Sequence, residues 1–400
     1  MNHTHSSDVI VIGGGLAGLA AAALVARGGH SVTVLERRGR LGGLATTDER
    51  SGFLFNQGPH ALYRGGPAWK VLSELGIDLA GGRPTPRSRL MIDDRLQVLP
   101  TGPGSLLSSR ALGFAEKVEF ARLLTSLGKV DPFDHAGLTA GQWIDRNVGR
   151  DRPRRLLRAL VRLTTYAGDI DTLSADVAIA QLQTAQQAVH YVDGGWQRII
   201  KGLAARPGVS IETDAAVDEL PDARVVIVAA GSPTLVGHLT GRAYDVGPSA
   251  DVSCIDLGLS APPPHDFVIG ADRPFYFSNH STVAKLAPEG SFVVSAMQYL
   301  TADTEPDPDM IWSDIDRIGI DRDDVTVSRR LHRMTAVSAI PTVETGGRRG
   351  RPSVTATDHD HVFIAGDWVG SEGHLADASI ASALAASQAA LAHLAAPSTV

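Results

Sequence analysis

One cysteine, Cys254, stands in a chain of 400 residues. That scarcity excludes an intramolecular disulfide, a thiolate metal cage and a CxxC redox pair. Redox chemistry, if present, must come from a cofactor. Positive charge is not in excess either. Lys and Arg number 37 against 44 Asp and Glu, for a net charge of −7. No basic field points to nucleic acid. No stretch of about 18 uninterrupted apolar residues exists, so a transmembrane segment is not expected. The N-terminus, MNHTHSSDVIVIGGG, lacks the charged n-region of a secretory signal.

What remains reads as soluble and globular, with 43% hydrophobic and 20% charged residues. A cytoplasmic location fits. The length exceeds one ordinary domain.

Asp8–Ile12 is a Val- and Ile-rich run that predicts a buried parallel strand. A glycine turn follows, then an alanine-rich helix over Leu16–Arg27, a Gly28-Gly29 stop and a strand over Ser31–Leu35. Residues 70–190 read mainly as helices, among them Phe114–Leu127 and Arg154–Thr165. Val225–Ala230 is a further buried strand. Short β-rich runs follow at Val252–Leu257, Phe275–Phe277 and Ser291–Ala296, then Val362–Ala365 and a final helix over Ser379–Leu394. Nucleotide-type elements thus recur at the start, near 225 and at the end.

Gly13-x-Gly15-x-x-Gly18 has dinucleotide-binding spacing. Gly13 permits the tight turn, Gly15 lets backbone approach a pyrophosphate, and Gly18 brings helix and strand close. The helix N-terminus offers free N–H groups and positive dipole to phosphate. Glu36 ends the second strand, where a carboxylate accepts hydrogen bonds from ribose hydroxyls. Three more elements decide between NAD and FAD: the glycine pair in Arg40–Thr46, the strand ending at Gly231, and Ile364-Ala365-Gly366-Asp367.

With these motifs the sequence resembles the flavin superfamily of amine oxidases, protoporphyrinogen oxidases and phytoene desaturases. FNQGPH at Phe55–His60 is similar to the family's loop by the isoalloxazine, and YVDGGW at Tyr191–Trp196 to its re-entry into the cofactor domain. YFSNHSTVAKLAPEG at Tyr276–Gly290 and GDWVGSEGHLADAS at Gly366–Ser379 are most similar to the phytoene desaturase branch.

The resemblance implies an α/β fold. A discontinuous Rossmann-type FAD-binding domain would span 1–70, 190–240 and 340–400, and an inserted α+β substrate domain 71–189 and 241–339. It also implies non-covalent FAD. The contacts would be Gly13, Gly15, Leu16, Ala17, Gly18, Glu36, Arg37, Gly42, Gly43, Leu44, Gly58, Pro59, His60, Val217, Ala230, Gly231, Gly366, Asp367, Leu375 and Ala376. The last helix would aim its N-terminus at the pyrimidine edge of the flavin.

The implied reaction takes a C–C or C–N single bond of a small, mostly apolar molecule to a double bond. There is no second GxGxxG, so oxygen, a quinone or another acceptor would reoxidise the flavin. Amine oxidation with peroxide release, isoprenoid desaturation or isomerisation, and non-catalytic flavin binding stay open as alternatives. The lysine of amine oxidases has no counterpart in Ser249–Ser260, and Gly373–Ala376 carries no aromatic.

His374 and His60 are the candidate bases, since a histidine titrates near neutrality. Either could instead be a loop histidine bonded to backbone. In Phe275-Tyr276-Phe277, alternation sends the two phenylalanines to one face and Tyr276 to the other, and one face could line the substrate cavity. Arg154, Arg155, Arg158 and Arg162 read as a solvated face, with peripheral membrane contact or an acidic substrate as the other reading. No metal is expected at Asp358–His361, where polar turn residues belong, or at His3 and His5.

Overall fold

The computed structural model describes residues 7–84 and 87–396, so His3 and His5 lie outside the described residues. Five parallel strands form one sheet, in the order Val209–Glu212, Val32–Leu35, Val9–Ile12, Val225–Val228, Val362–Ile364. The sequences VIVI, VTVL and VVIV are buried at every position. Such continuous apolar strands belong to a sheet covered on both faces. Accordingly Val9 and Val11 pack into one core and Ile10 and Ile12 into another.

The helix Leu16–Arg27 crosses over between the first two strands, as its alanine-rich sequence predicts. The final helix, Ala376–Ala395, lies against it and against Pro67–Glu74. Small residues on both helices permit that approach. Among the described residues this final helix alone is long and apolar enough to cross a membrane.

A seven-stranded mixed sheet forms the second layer. Its order is Val325–Val337, Ala250–Leu259, Phe292–Tyr299, Phe275–Asn279, Phe267–Gly270, Ser88–Ile92, Arg95–Val98. Helices within residues 114–185 cover one face through Leu90, Trp143, Leu156 and Val252. The other face packs Phe275 and Phe277 against Ile311 and Ile315.

Three strand regions depart from the sequence reading. The hairpin of Ser88–Ile92 and Arg95–Val98 lies inside the stretch read as helical. Its turn is Asp93-Asp94, both at positive φ. That conformation is usually flagged by glycine or asparagine, which this turn lacks. A second hairpin joins Thr47–Arg50 to Phe53–Asn56. Val209–Glu212 is an edge strand whose half-exposed residues give little apolar signal.

The arginine-rich helix, Asp151–Thr165, is not a free cationic stripe. Arg154 pairs with Asp145, Arg155 with Asp93, Asp151 and Asp272, and Arg158 with Asp171. Arg162 donates to the Ala271 carbonyl. These arginines stay half-buried at the surface, in keeping with a solvated face, and the chain answers their charges itself. Asp358 likewise pairs with Arg242. Among the described residues no group of three or more His, Cys, Asp or Glu is placed to hold a metal.

Candidate cofactor and substrate site

The glycine turn is built by close backbone contacts. A Cβ on Gly13, at φ +109, would meet the Ala229 carbonyl oxygen at 2.3 Å. One on Gly18 would meet the Gly13 oxygen at 2.0 Å. These two glycines lock strand to helix. Gly15 differs: a Cβ there would meet nothing within 4 Å. It faces open space in front of the helix N-terminus. Gly42 donates its N–H to the Gly14 carbonyl at 2.8 Å, which brings the second glycine pair against the first turn. Glu36 accepts from the Gly14 N–H at 2.7 Å and the Arg38 N–H at 2.9 Å. Its carboxylate therefore sits at the turn, beside the space that Gly15 faces.

That space is one end of a cavity of 1410 Å³. Pockets for a single drug-sized ligand are about 300–1,000 Å³. There is thus room for a dinucleotide and a second molecule. Gly13, Gly15, Leu16, Ala17, Glu36, Arg37, Gly42, Gly43, Leu44, Pro59, His60, Val217, Ala230, Gly231, Gly366, Asp367, Leu375 and Ala376 all line it. Gly18 and Gly58 do not. Gly18 acts in packing, and Gly58 abuts Met334, whose Cε a Cβ there would meet at 2.7 Å. Both are corrected from contact to wall support.

The C-terminal helix is anchored at the cavity by Ser382, which bonds both the N–H and the carbonyl of Gly366. Asp367 accepts from the Ser338 N–H at 2.8 Å. Burial pushes its carboxyl up from the usual range, opposed by hydrogen bonds from Ser338. Leu375 holds φ 55 and ψ −132 just before the helix, a conformation rare for a branched side chain.

The two histidines separate. His60 lines the cavity, bonds the Gly58 carbonyl at 2.9 Å and stands edge-on to Trp196 at 4.6 Å. Burial lowers its pKa, opposed by backbone hydrogen bonding at Gly58 and Leu44. His374 is buried behind the wall. Its Nδ1 meets Arg351 Nη2 at 3.2 Å and its Nε2 meets the Thr165 carbonyl at 2.9 Å. The carbonyl needs a donor and the guanidinium an acceptor, so His374 is neutral and both nitrogens are engaged. Burial and Arg351 push its pKa down to about 3. The expectation that His374 is a base is corrected to a clamp between two chain segments.

Besides His60 the cavity is walled by phenols and aliphatics, of which Tyr63, Tyr166 and the leucines were left unassigned by sequence reading. Tyr63, Tyr166, Tyr191, Trp196, Leu124, Leu127, Leu160 and Leu163 all line it. Tyr276 joins them from the strand face opposite Phe275 and Phe277, as alternation predicts. Cys254 is fully buried in the wall and does not reach the cavity.

A glycine turn on a parallel sheet, opening into a cavity shared with a second layer, marks a cofactor-dependent α/β enzyme. Residues 16–237 match the family of flavin containing amine oxidoreductases, and the chain belongs to that family. That family is one of flavin-containing oxidoreductases, and the cofactor is FAD. The residues fit that group: Gly15, Gly43 and Gly231 open backbone to the cavity without obstruction by more than one neighbouring Cα.

The chain is 31% identical over 194 residues to coproporphyrinogen III oxidase of Propionibacterium freudenreichii subsp. freudenreichii, a match covering 46% of this chain and 35% of that protein. It is 24% identical over 307 residues to 4,4'-diaponeurosporene oxygenase of Staphylococcus aureus, covering 67% and 58%. These matches thus span less than two thirds of either relative. An oxidoreductase structure from Methanosarcina mazei shares the fold with TM-score 0.68 and 18% identity, covering 94% of this chain and 98% of that one.

Proposed function

We propose that this enzyme oxidises a C–C or C–N single bond of a mostly apolar small molecule to a double bond, with non-covalently bound FAD. The carrying observation is the single cavity that runs from the glycine turn to the tyrosine-walled chamber. In this reading residues 1–70, 190–240 and 340–400 form a Rossmann-type FAD domain, and 71–189 with 241–339 the substrate domain. Glu36 holds the ribose. Gly15 and Gly43 admit the pyrophosphate. Asp367, Leu375 and Ala376 border the remaining part of the cofactor.

FAD supplies the hydride acceptor. The chain's own work is to orient the substrate and exclude water. The N-terminus of Ala376–Ala395 contributes positive dipole at the cavity wall. His60 and His238 both line the cavity, and His60 is the one that stands against Trp196. Its ring faces the Gly58 and Leu44 carbonyls, and burial disfavours its charged form, so its part in this reading is to shape the chamber beside Trp196 or to pass a proton from that place. Oxygen, a quinone or another acceptor completes the cycle, in a cytoplasmic enzyme.

The test is anaerobic mixing of the FAD-loaded protein with amine, porphyrinogen and isoprenoid panels. Loss of the flavin band near ~450 nm identifies the substrate class. An unbleached band across all three panels favours a non-catalytic flavin-binding role. Rapid bleaching by NADPH alone would overturn the proposed acceptor scheme. Cell fractionation tests the location.

A further inference from the structure

Arg351 is 9% exposed and, among the described residues, forms no ion pair. Its Nη1 donates to the Gly373 carbonyl at 3.0 Å and its Nη2 to His374 Nδ1 at 3.2 Å. Both acceptors are neutral, because His374 is an uncharged ring. Its Nε has no hydrogen-bond partner. Burial lowers its pKa only to about 10, so the guanidinium stays charged at neutral pH. Other buried arginines are treated differently. Arg329 pairs with Asp256, and Arg348 takes up Asp176 at 3.3 Å. Asp367 attracts Arg351 from beyond ion-pair distance and accepts from the Ser338 N–H instead.

The cation also sits at the wrong end of a helix for its own comfort. Gly373 and His374 immediately precede Leu375 and Ala376, which line the cavity at the N-terminus of Ala376–Ala395. Gly373 holds φ +72, and a Cβ there would meet the Asp377 carbonyl carbon at 2.8 Å, so this segment lies tight on the first helical turn. A helix N-terminus is already positive and draws anions, not cations. Asp377 in that turn is pushed up to about 7 by burial, so below neutrality it answers little of the charge. A buried charge without a partner is costly. Such an arrangement suits a wall whose anion arrives with the cofactor.

The proposed reaction generates that anion. A hydride carries two electrons and one proton. The oxidised flavin ring is neutral, so hydride uptake leaves one negative charge on it, and the second proton of the substrate goes to solvent. We propose that Arg351 is a positioning residue for the redox step: through the Gly373–Ala376 wall it is the standing counter-charge of the reduced flavin ring, and it raises the midpoint potential of the cofactor. The inference rests on the reading in which Leu375 and Ala376 border the cofactor, and it adds the charge that tunes it. It also offsets Asp367, a carboxyl on the same cavity wall.

Redox titration of the FAD-loaded protein against a reference dye tests this. Arg351→Gln keeps a donor for Gly373 or His374 and removes the charge. Its midpoint potential falls by about 30 mV, which for a two-electron couple is a loss of about 10-fold in affinity for reduced over oxidised FAD. Arg351→Lys keeps the charge and recovers most of that fall. A merely structural role would lower Tm and FAD content and leave the potential in place.

An unchanged potential in Arg351→Gln would overturn the inference. So would equal weakening of oxidised and reduced FAD, the outcome for a pyrophosphate partner, or a fall of the same size in Arg351→Lys. If Arg351→Gln does not hold FAD, the wild type decides. An anionic reduced ring takes up one proton per two electrons, so between about pH 5 and about pH 6, where Asp377 is protonated, the potential falls by about 30 mV per pH unit; a slope of about 60 mV, meaning two protons, would overturn the inference. The titration needs no substrate, so its failure is distinct from failure of every substrate panel to bleach the flavin.

Discussion

At the scale of the residue, position within the wall decides chemistry more than residue type does. His60 and His374 are both histidines in stretches that resemble flavin-contacting motifs, yet one lines the cavity and the other is sealed between Arg351 and Thr165. His374→Ala is expected to cost about 1–3 kcal/mol of stability, because it leaves buried polar partners unmatched. A shifted urea midpoint would show this. The same variant should leave the pH profile of flavin reduction unchanged near neutrality, whereas loss of a titration there would restore His374 as a base. Arg351, whose pKa burial lowers to about 10, loses its His374 acceptor in that variant and keeps the Gly373 carbonyl.

At the scale of the element, the glycine turn divides into residues that build and a residue that binds. Gly18→Ala would drive a Cβ into the Gly13 carbonyl and push the helix off the strand. Gly15 has φ −81 and ψ −176, which any residue adopts, and open space at its Cβ. We expect Gly15→Ala to fold normally and release FAD on gel filtration, while Gly18→Ala loses thermal stability even with excess FAD. Equal melting losses in both apoproteins would contradict this division.

A second element-scale link is the buried Arg329. It pairs with Asp256 at 2.6 Å, reaches Asp48 at 3.0 Å and bonds the Asn56 carbonyl. It thereby ties the Thr47–Asn56 hairpin to the seven-stranded sheet. Arg329→Met strands the Asp256 carboxylate and is expected to cost about 3–5 kcal/mol in urea unfolding. Adding Asp256→Leu should recover much of that loss.

At the scale of the whole molecule, buried titratable groups bend stability against pH in opposite directions. His280 and His374 sit at about 3 when folded against 6.5 for the free side chain. The unfolded chain therefore binds more protons in between. Their contribution is complete above 6.5 and falls as pH drops towards 3. Asp377 behaves in reverse. Burial raises it from 3.8 to about 7, opposed by the Ala68 N–H and reinforced by Glu372. The native state holds the extra proton, so this contribution is full below 3.8 and lost as pH rises through about 7. Asp377→Asn should raise Tm at pH 8 and change it little at pH 4. Equal shifts at the two pH values would refute the assignment.

The sequence by itself determined the parallel layer and its cofactor edge. Val9–Ile12, Leu16–Arg27 and Val225–Val228 are legible because their signals are local: apolar runs, a helix of small residues and glycine spacing. Glu36, Gly43 and Asp367 are legible for the same reason, since each ends or follows such an element. Only the tertiary structure decided which side chains face the chamber. Tyr166, Tyr191 and Tyr276 come from three distant stretches, and their phenols converge because a helix end, a short strand and a sheet strand pack at one place. The sealing of His374 and the pairing of the arginine helix are likewise set by partners far away in sequence, Thr165 and Asp272 among them. Hydrogen-bond polarity in a buried site depends on every neighbour at once, and no spacing rule along one chain segment encodes it.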